Sequence, residues 1–448
     1  MPGYYGSESC WRRMPWNKTT NTVPNSKTGR ALFLQCRSKT NSNPVYTVTT
    51  DVDVLIIGAG PAGLSAGIVL ASQGLQTLIC EKRFLPVDKA CGEGIMPAGL
   101  ANLQSLGVRH HLPEGETRPF SGIRYLSPGG HTAAARFREG PGLGVRRLVL
   151  SKALLSRAKE LEGLEIREGV HAKIDFEANP GHRGPIFAAI SKETVTARLV
   201  VGADGLHSKI RRQAGLQAAP AKRRRWGIRQ HFSVSPWSEY VEVYWGQGIE
   251  AYVTPCASDQ VGVAFLWDRG RFPTPQDGER LFPYMIGHFP GLQERLRNAH
   301  PCGLPMATGP LEQSAISPVA EGLLLIGDAA GYLDAITGEG ISLATAQALA
   351  LQKSVIPLLK ASAGSNNHLT TGDLRAYALA HRRITRSYHR MTRMLLFLSR
   401  RPSIVDRMTE ILKRQPELFQ HLLSANMGLA PMWPGFSLSF LFLRRLLG

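Results

Sequence analysis

The chain has little cysteine, little acid and no long apolar run, and each shortage excludes something. Its six cysteines, Cys10, Cys36, Cys80, Cys91, Cys256 and Cys302, form no Cys-x-x-Cys pair and no regular spacing. Neither a zinc site nor a disulfide framework is therefore indicated; no metal site of any kind is expected, and a reducing, cytoplasmic compartment is the simpler inference. No apolar stretch reaches the roughly 20 residues that span a bilayer, so no transmembrane helix is expected. The first fifty residues lack the apolar core of a secretory signal peptide. Rich in Asn, Thr, Ser and Arg, with Glu8 their single acid, they read as an unstructured extension or upstream start, with an organelle transit segment as the alternative.

The acid shortage, 34 Asp and Glu against 53 Lys and Arg, gives a formal charge of +19 over 448 residues. Residues 1–50 hold seven basic side chains, and residues 375–448 hold thirteen against three acids, so the body between the ends is close to neutral. Nucleic acid is not expected as a partner, because no basic stripe interleaved with aromatics and no recognition motif is found. The C-terminal charge suits either a solvated helix face or peripheral contact with an anionic membrane. An apolar fraction of 43% excludes disorder throughout, and the length implies two intertwined domains or one core with a helical tail.

Order begins at Asp53. Val54 to Ile57 reads as a buried parallel strand, a helix runs from about Gly60 to Ser72, and Gln76 to Cys80 forms a second strand ending at Glu81. Strand, glycine-rich turn, helix and strand make a βαβ unit. Further helices are predicted at Pro97 to Leu106, Val149 to Leu161 and Gly338 to Leu351, and strands at Ile123 to Phe137, Ala188 to Ile190, Ala197 to Val201, Trp226 to Trp267 and Gly322 to Gly327. Alternation in Val241-Glu242-Val243-Tyr244 suits a sheet with one face covered. Gly140 to Gly144 reads as a loop.

Gly58-Ala-Gly60-Pro61-Ala62-Gly63 follows a strand and opens a helix, the context a Gly-x-Gly-x-x-Gly match requires. The glycines allow the tight turn, the approach of a pyrophosphate and close helix packing, while helix N-terminal amides take the phosphates. Glu81, followed by Lys82, is placed to accept hydrogen bonds from an adenosine ribose and disfavours a 2′-phosphate. Two more buried strands end in a Gly and Asp pair, at Gly202-Ala-Asp204-Gly205 and at Gly327-Asp328. An isolated carboxylate closing an apolar strand needs a partner, and a polyol hydroxyl or a helix N-terminus supplies one.

This trio, in this order, resembles the para-hydroxybenzoate hydroxylase-like flavoproteins, which include aromatic hydroxylases, geranylgeranyl reductases and flavin-dependent halogenases. The resemblance implies an α/β fold: a Rossmann-type FAD-binding domain interwoven with a mixed β-sheet substrate domain, then C-terminal helices. The FAD-binding domain would take residues 51–122, 146–215 and 306–360, the substrate domain 123–145 and 216–305, and the helical region 361–448, after the extension 1–50. It implies Asp328 on the ribityl chain, Asp204 and Gly205 by the pyrophosphate, Arg147 or its neighbour Arg146 opening a flavin-facing helix, and Gly338, Gly340 and Ile341 against the flavin ring. Lys89-Ala-Cys91-Gly92-Glu93-Gly94 resembles the Lys-x-Cys-Gly segment of the geranylgeranyl reductase-like group, whose cysteine faces the flavin cavity. With no second glycine-rich βαβ unit, NADPH or NADH would bind only transiently as donor.

The halogenase Trp-x-Trp-x-Ile-Pro motif is absent, and the prenyl reductase Tyr-x-Trp-x-Phe-Pro strand survives only as Tyr252-Val-Thr254-Pro255. His231 and Tyr252, on the substrate sheet, are candidates to deprotonate a phenol, beside a structural role. The expectation is therefore an FAD-dependent monooxygenase that hydroxylates a hydrophobic or aromatic small molecule through a flavin C4a-hydroperoxide. The alternatives are a double-bond reductase of isoprenoid or lipid substrates, and a non-catalytic flavin-binding docking protein. The apolar segment 436–447, ending in basic residues, suits either a membrane or a core-capping helix.

Overall fold

The computed structural model describes residues 51–176, 184–221, 224–275 and 278–432. The N-terminal extension and the apolar segment 436–447 lie outside the described residues.

The first sheet is built on Val52–Ile57, whose last four side chains are buried on both faces as a parallel central strand demands. Its order is Val319–Ala320, Leu323–Leu325, Glu193–Gly202, Val52–Ile57, Thr77–Glu81 and Leu164–Glu168, parallel except at the Val319–Ala320 edge. Three helices, Pro61–Ala71, Arg147–Lys159 and Gly340–Ser354, pack Leu64, Ile68, Leu150, Leu154, Ala348 and Leu351 onto one face. The antiparallel pair Ala172–Asp175 and Ile186–Ile190 extends the sheet and closes the other face with Ile174, Ala188 and Ile190.

The third helix begins two residues after Gly338, whose φ of +71° turns the chain into it. The helix expected from Val149 begins at Arg147 instead. Its start is set by a partner distant in sequence: the Arg147 backbone N–H, an orphan of the first turn, donates to the Glu93 carboxylate at 2.9 Å.

The second sheet has the order His300–Thr308, Arg225–Ser233, Gln260–Asp268, Ile249–Ala257, Tyr240–Trp245, Gly122–Leu126 and Thr132–Arg136. Both faces are covered, which corrects the expectation of one. Phe282, Met285, Phe289 and Leu292 close the back against Val253, Val263 and Phe265, while Met391, Leu395, Met408, Phe419 and Leu422 from the C-terminal helices approach the front. The alternating pattern misled because Glu242, polar in the sequence, is 1% exposed. Its carboxylate accepts from Arg124, Trp237 and Tyr244, so it is buried fully partnered.

Gly142–Val145 is a buried strand, not the expected loop, pairing with Gly94–Ile95 and Thr117–Phe120. Glycine is required there: a Cβ on Gly144 would stand 1.6 Å from the Pro255 carbonyl oxygen. This small sheet joins the cysteine-bearing loop to the substrate sheet.

Candidate active site

The turn after the first strand shows what each glycine does. Gly58 has φ of +107°, and a Cβ on it would lie 2.5 Å from the Ala203 carbonyl oxygen. A Cβ on Gly63 would lie 1.8 Å from the Gly58 carbonyl, so the helix packs directly on its own turn. On Gly60 it would meet only the Arg147 guanidinium, at 3.8 Å. That position opens into free space over the helix N-terminus, where Pro61 occupies the first turn and Ala62 packs against Gly327. Glu81 is pinned at the end of its strand, one oxygen accepting from the Ala59 N–H at 2.9 Å and the other from the Arg83 N–H at 3.1 Å. Lys82 stands beside it in the wall of the same cavity.

Asp204 takes the Lys209 and Ile210 N–H groups at 2.6 and 3.1 Å and the Ser208 hydroxyl, so it caps the Lys209–Gln213 helix. Gly205, at φ +82°, lets the chain turn there. Asp328 differs: its one ion pair among the described residues is to Lys89, at 3.6 Å, and its carboxylate is about a third exposed in the cavity wall. Arg211, fully buried, ties the two motifs by donating to the carbonyls of Leu206, Asp328 and Ala329. The Gly327 N–H is held by the Gln347 side chain at 2.7 Å.

Arg147 is the buried member of its pair, at 9% exposure, whereas Arg146 pairs with Glu116 near the surface. Burial lowers the Arg147 pKa, and its Nε is buried with no hydrogen-bond partner. A buried guanidinium with an orphaned donor, beside a helix N-terminus cleared by Gly60, calls for a bound anion. A ribose-competent carboxylate and an open Asp328 line the same cavity. The residues fit a dinucleotide with a diphosphate at Gly60 and Arg147.

Beyond this cradle the cavity, about 630 Å³, continues between the substrate sheet and the C-terminal helices. Cys91, Gly92, Gly338, Gly340 and Ile341 line the passage. Burial pushes the Cys91 thiol up, so it stays protonated at neutral pH. Its loop is bolted to the sheet by Glu93, a residue 1% exposed and held in the left-handed region at φ +62°. One Glu93 oxygen caps Arg147, and the other lies 2.6 Å from His231 Nε2. Gly262 leaves room for that contact, since a Cβ there would stand 3.1 Å from the carboxylate. Arg229 completes the clamp, touching His231 Nδ1 at 3.2 Å and Asp88 at 2.8 Å.

Of the two roles open to His231, its surroundings favour the structural one. Both ring nitrogens are engaged, and it sits behind the cysteine loop, outside the cavity wall. Tyr252 does reach the cavity, but its hydroxyl donates to the Ile336 carbonyl at 3.2 Å and burial raises its pKa well above the usual value. Both features favour the structural role for Tyr252 over that of a base.

The far end of the chamber is apolar: Met391, Met394, Met408, Leu412, Phe419 and Leu423 come from the helices Arg375–Leu398, Pro402–Arg414 and Pro416–Asn426. Glu339 is set into this wall at 3% exposure, with no ion pair among the described residues. The Asn426 amide donates to it at 3.0 Å, and burial raises its pKa to about 7.

The FAD binding domain family matches residues 51–267. Over 305 residues the chain is 30% identical to digeranylgeranylglycerophospholipid reductase 1 of Methanothermobacter thermautotrophicus, covering 66% of this chain and 74% of that protein. The chain belongs to the FAD-dependent monooxygenase and geranylgeranyl reductase-like superfamily. The cradle is accordingly an FAD site, and the protein an oxidoreductase. A second relative, the corresponding reductase of Methanosarcina acetivorans, is 30% identical over 306 residues, 64% of this chain and 71% of its own. The flavin-dependent brominase Bmp2 shares the fold, with a TM-score of 0.68 at 18% identity over 88% of this chain and 97% of its own.

Three parts of this flavoenzyme's site escape a reading of the sequence: Glu93 as clamp, Glu339 as a buried carboxyl, and the C-terminal helices as chamber wall. The available signals are a glutamate between two glycines in each of the first two cases, and methionines three residues apart at Met391 and Met394 in the last.

Proposed function

We propose that the protein is an FAD-dependent reductase that saturates carbon–carbon double bonds in an isoprenoid or similarly long apolar lipid chain. The observation that carries this reading is the chamber above the flavin cradle, walled by methionine, leucine and phenylalanine from three C-terminal helices. An extended hydrocarbon gains from such a wall at about 0.8 kcal/mol per buried CH₂. The resemblance to reductases of digeranylgeranylglycerophospholipids, and the Lys89 to Gly94 segment with Cys91, point the same way.

Reduced FAD, when bound, supplies a hydride; a nicotinamide nucleotide docking transiently is the expected source of its electrons. Saturating the bond then requires one proton at the other carbon. Two groups of this chain are placed to hold it at neutral pH: the Cys91 thiol, kept protonated by burial, and the Glu339 carboxyl, half protonated near pH 7. Glu93, His231 and Arg229 position the Cys91 loop, and the helices line the chamber with apolar side chains. His231 and Tyr252, the candidates for deprotonating a phenol, are held in structural hydrogen bonds, and the apolar chamber suits a hydrocarbon chain better than a phenol, so the reductase reading is preferred.

The test is anaerobic. The holoenzyme, reduced with dithionite, is mixed with a geranylgeranyl-bearing lipid while flavin absorbance is followed. The expected result is reoxidation without oxygen and a product heavier by two hydrogens. Reoxidation that depends on oxygen and yields an oxygenated product overturns the proposal in favour of the monooxygenase.

A further inference from the structure

The helix Arg375–Leu398 contains six arginines and no acid. Arg375, Arg382, Arg383, Arg386, Arg390 and Arg393 are all exposed, and none makes an ion pair or side-chain hydrogen bond among the described residues. At about 100° per residue these six, with exposed Leu379 and Phe397, fall within an arc of roughly 100° along some 36 Å of helix. They make one straight stripe. Like charges three and four residues apart destabilise a helix, and no acid in the helix offsets them. The stripe includes apolar side chains near its two ends, Leu379 at 54% and Phe397 at 50% exposure, and Arg401 extends it, its guanidinium 3.9 Å from the Phe397 ring centre.

The opposite face of the same helix turns Met391 and Leu395 into the apolar chamber, with Met394 reaching it from the border of the stripe. One helix thus separates a cationic outer surface from the cavity that takes the substrate. No helix among the described residues is long and apolar enough to cross a membrane.

We infer that the outer face of the Arg375–Leu398 helix docks this protein on an anionic lipid bilayer, lying in the plane of the headgroups with the chamber directly behind it. Charge complementarity selects the partner. Six unpaired arginines match anionic headgroups, and Leu379 and Phe397 can enter the acyl boundary, where a nucleic-acid backbone offers them nothing. The inference concerns where the protein sits and holds whichever reaction the flavin performs.

The experiment is sedimentation of the full-length FAD-loaded protein with vesicles of phosphatidylcholine alone or with 30% phosphatidylserine, at about 50 and 300 mM salt. Binding to the anionic vesicles that weakens with salt is expected, with little to the neutral ones. The combined variant Arg383→Gln, Arg386→Gln and Arg390→Gln should lower the partition coefficient on the order of a hundredfold, taking each arginine near the surface as roughly a factor of five. A control, Lys152→Gln, Lys159→Gln and Lys173→Gln, removes equal charge from other exposed sites and should leave most of the binding. Bound flavin and melting temperature show that each variant is folded. Unchanged binding of the helix variant, an equal loss in the control, equal binding to neutral vesicles, or tighter binding to a single-stranded RNA oligonucleotide than to anionic vesicles would each overturn the inference.

Discussion

The flavin cradle and the chamber above it are two halves of one cavity built on opposite principles. The cradle is made by backbone: three glycine turns at the ends of parallel strands, a helix N-terminus, and carboxylates held by neighbouring N–H groups. The chamber is made largely by apolar side chains, drawn from helices that follow the last cradle motif in the chain. Backbone geometry tolerates little change, whereas an apolar wall tolerates many substitutions of similar volume. The first should therefore fail abruptly and the second by degrees.

The sharpest break is expected at Gly58. Gly58→Ala puts a methyl 2.5 Å from a carbonyl oxygen at a φ of +107°, so the turn must move. FAD retention, read from the ratio of flavin to protein absorbance, should fall at least tenfold. Gly60→Ala is the informative partner, because its methyl meets no atom closer than 3.8 Å in the protein itself. The apoprotein should melt as wild type while FAD affinity falls. Equal loss of apoprotein stability in both would erase the distinction between a glycine kept for the fold and one kept for the cofactor.

The next largest effect belongs to the passage between the halves. Cys91→Ala should leave FAD bound and lower turnover of the alkene at least tenfold, with dithionite reduction of the flavin unchanged. Turnover within twofold of wild type would remove Cys91 from the proton supply and leave Glu339 alone in that role.

The same contrast explains what was legible in the sequence. Gly58, Gly60, Gly63, Glu81 and Asp328 stand out because a turn or a strand-end carboxylate must be one of very few residue types at that spot. Their type announces their task. The sequence leaves His231 open between two roles because its partner, Glu93, lies 138 residues away and only the folded register of the strand opposite Gly262 brings them together. Arg147 and Arg146 are interchangeable on paper, and the choice between them is made by the Glu93 carboxylate that fixes where the helix starts. Met391 and Phe419 carry no local mark of function, since an apolar face packs a core or lines a cavity with the same periodicity.

A graded response is expected in the chamber wall. Met394→Trp fills space without touching the cradle, so FAD retention should stay as wild type while long-chain substrates lose several-fold in kcat/KM and shorter ones lose less. A uniform loss across chain lengths would mean that the chamber does not hold the chain.

The smallest effect tests a carboxyl set into that wall. Glu339 is pushed up to about 7 in the fold from an ordinary value of 4.5. The folded protein therefore holds this proton through a range in which the unfolded chain has released it. Stability contributed by protonated Glu339 is lost as pH rises from about 4.5 to about 7, and the cost of a buried carboxylate is complete above that. Glu339→Gln keeps the acceptor for Asn426 and removes the charge. The variant should melt with wild type at pH 4.5 and a few degrees above it at pH 8, a difference bounded by about 3 kcal/mol. Coincident melting curves at both values would show that the carboxylate finds water or a cation when it ionises. Glu339 would then lose its standing as a proton reservoir, and the proton for the alkene would have to come from Cys91.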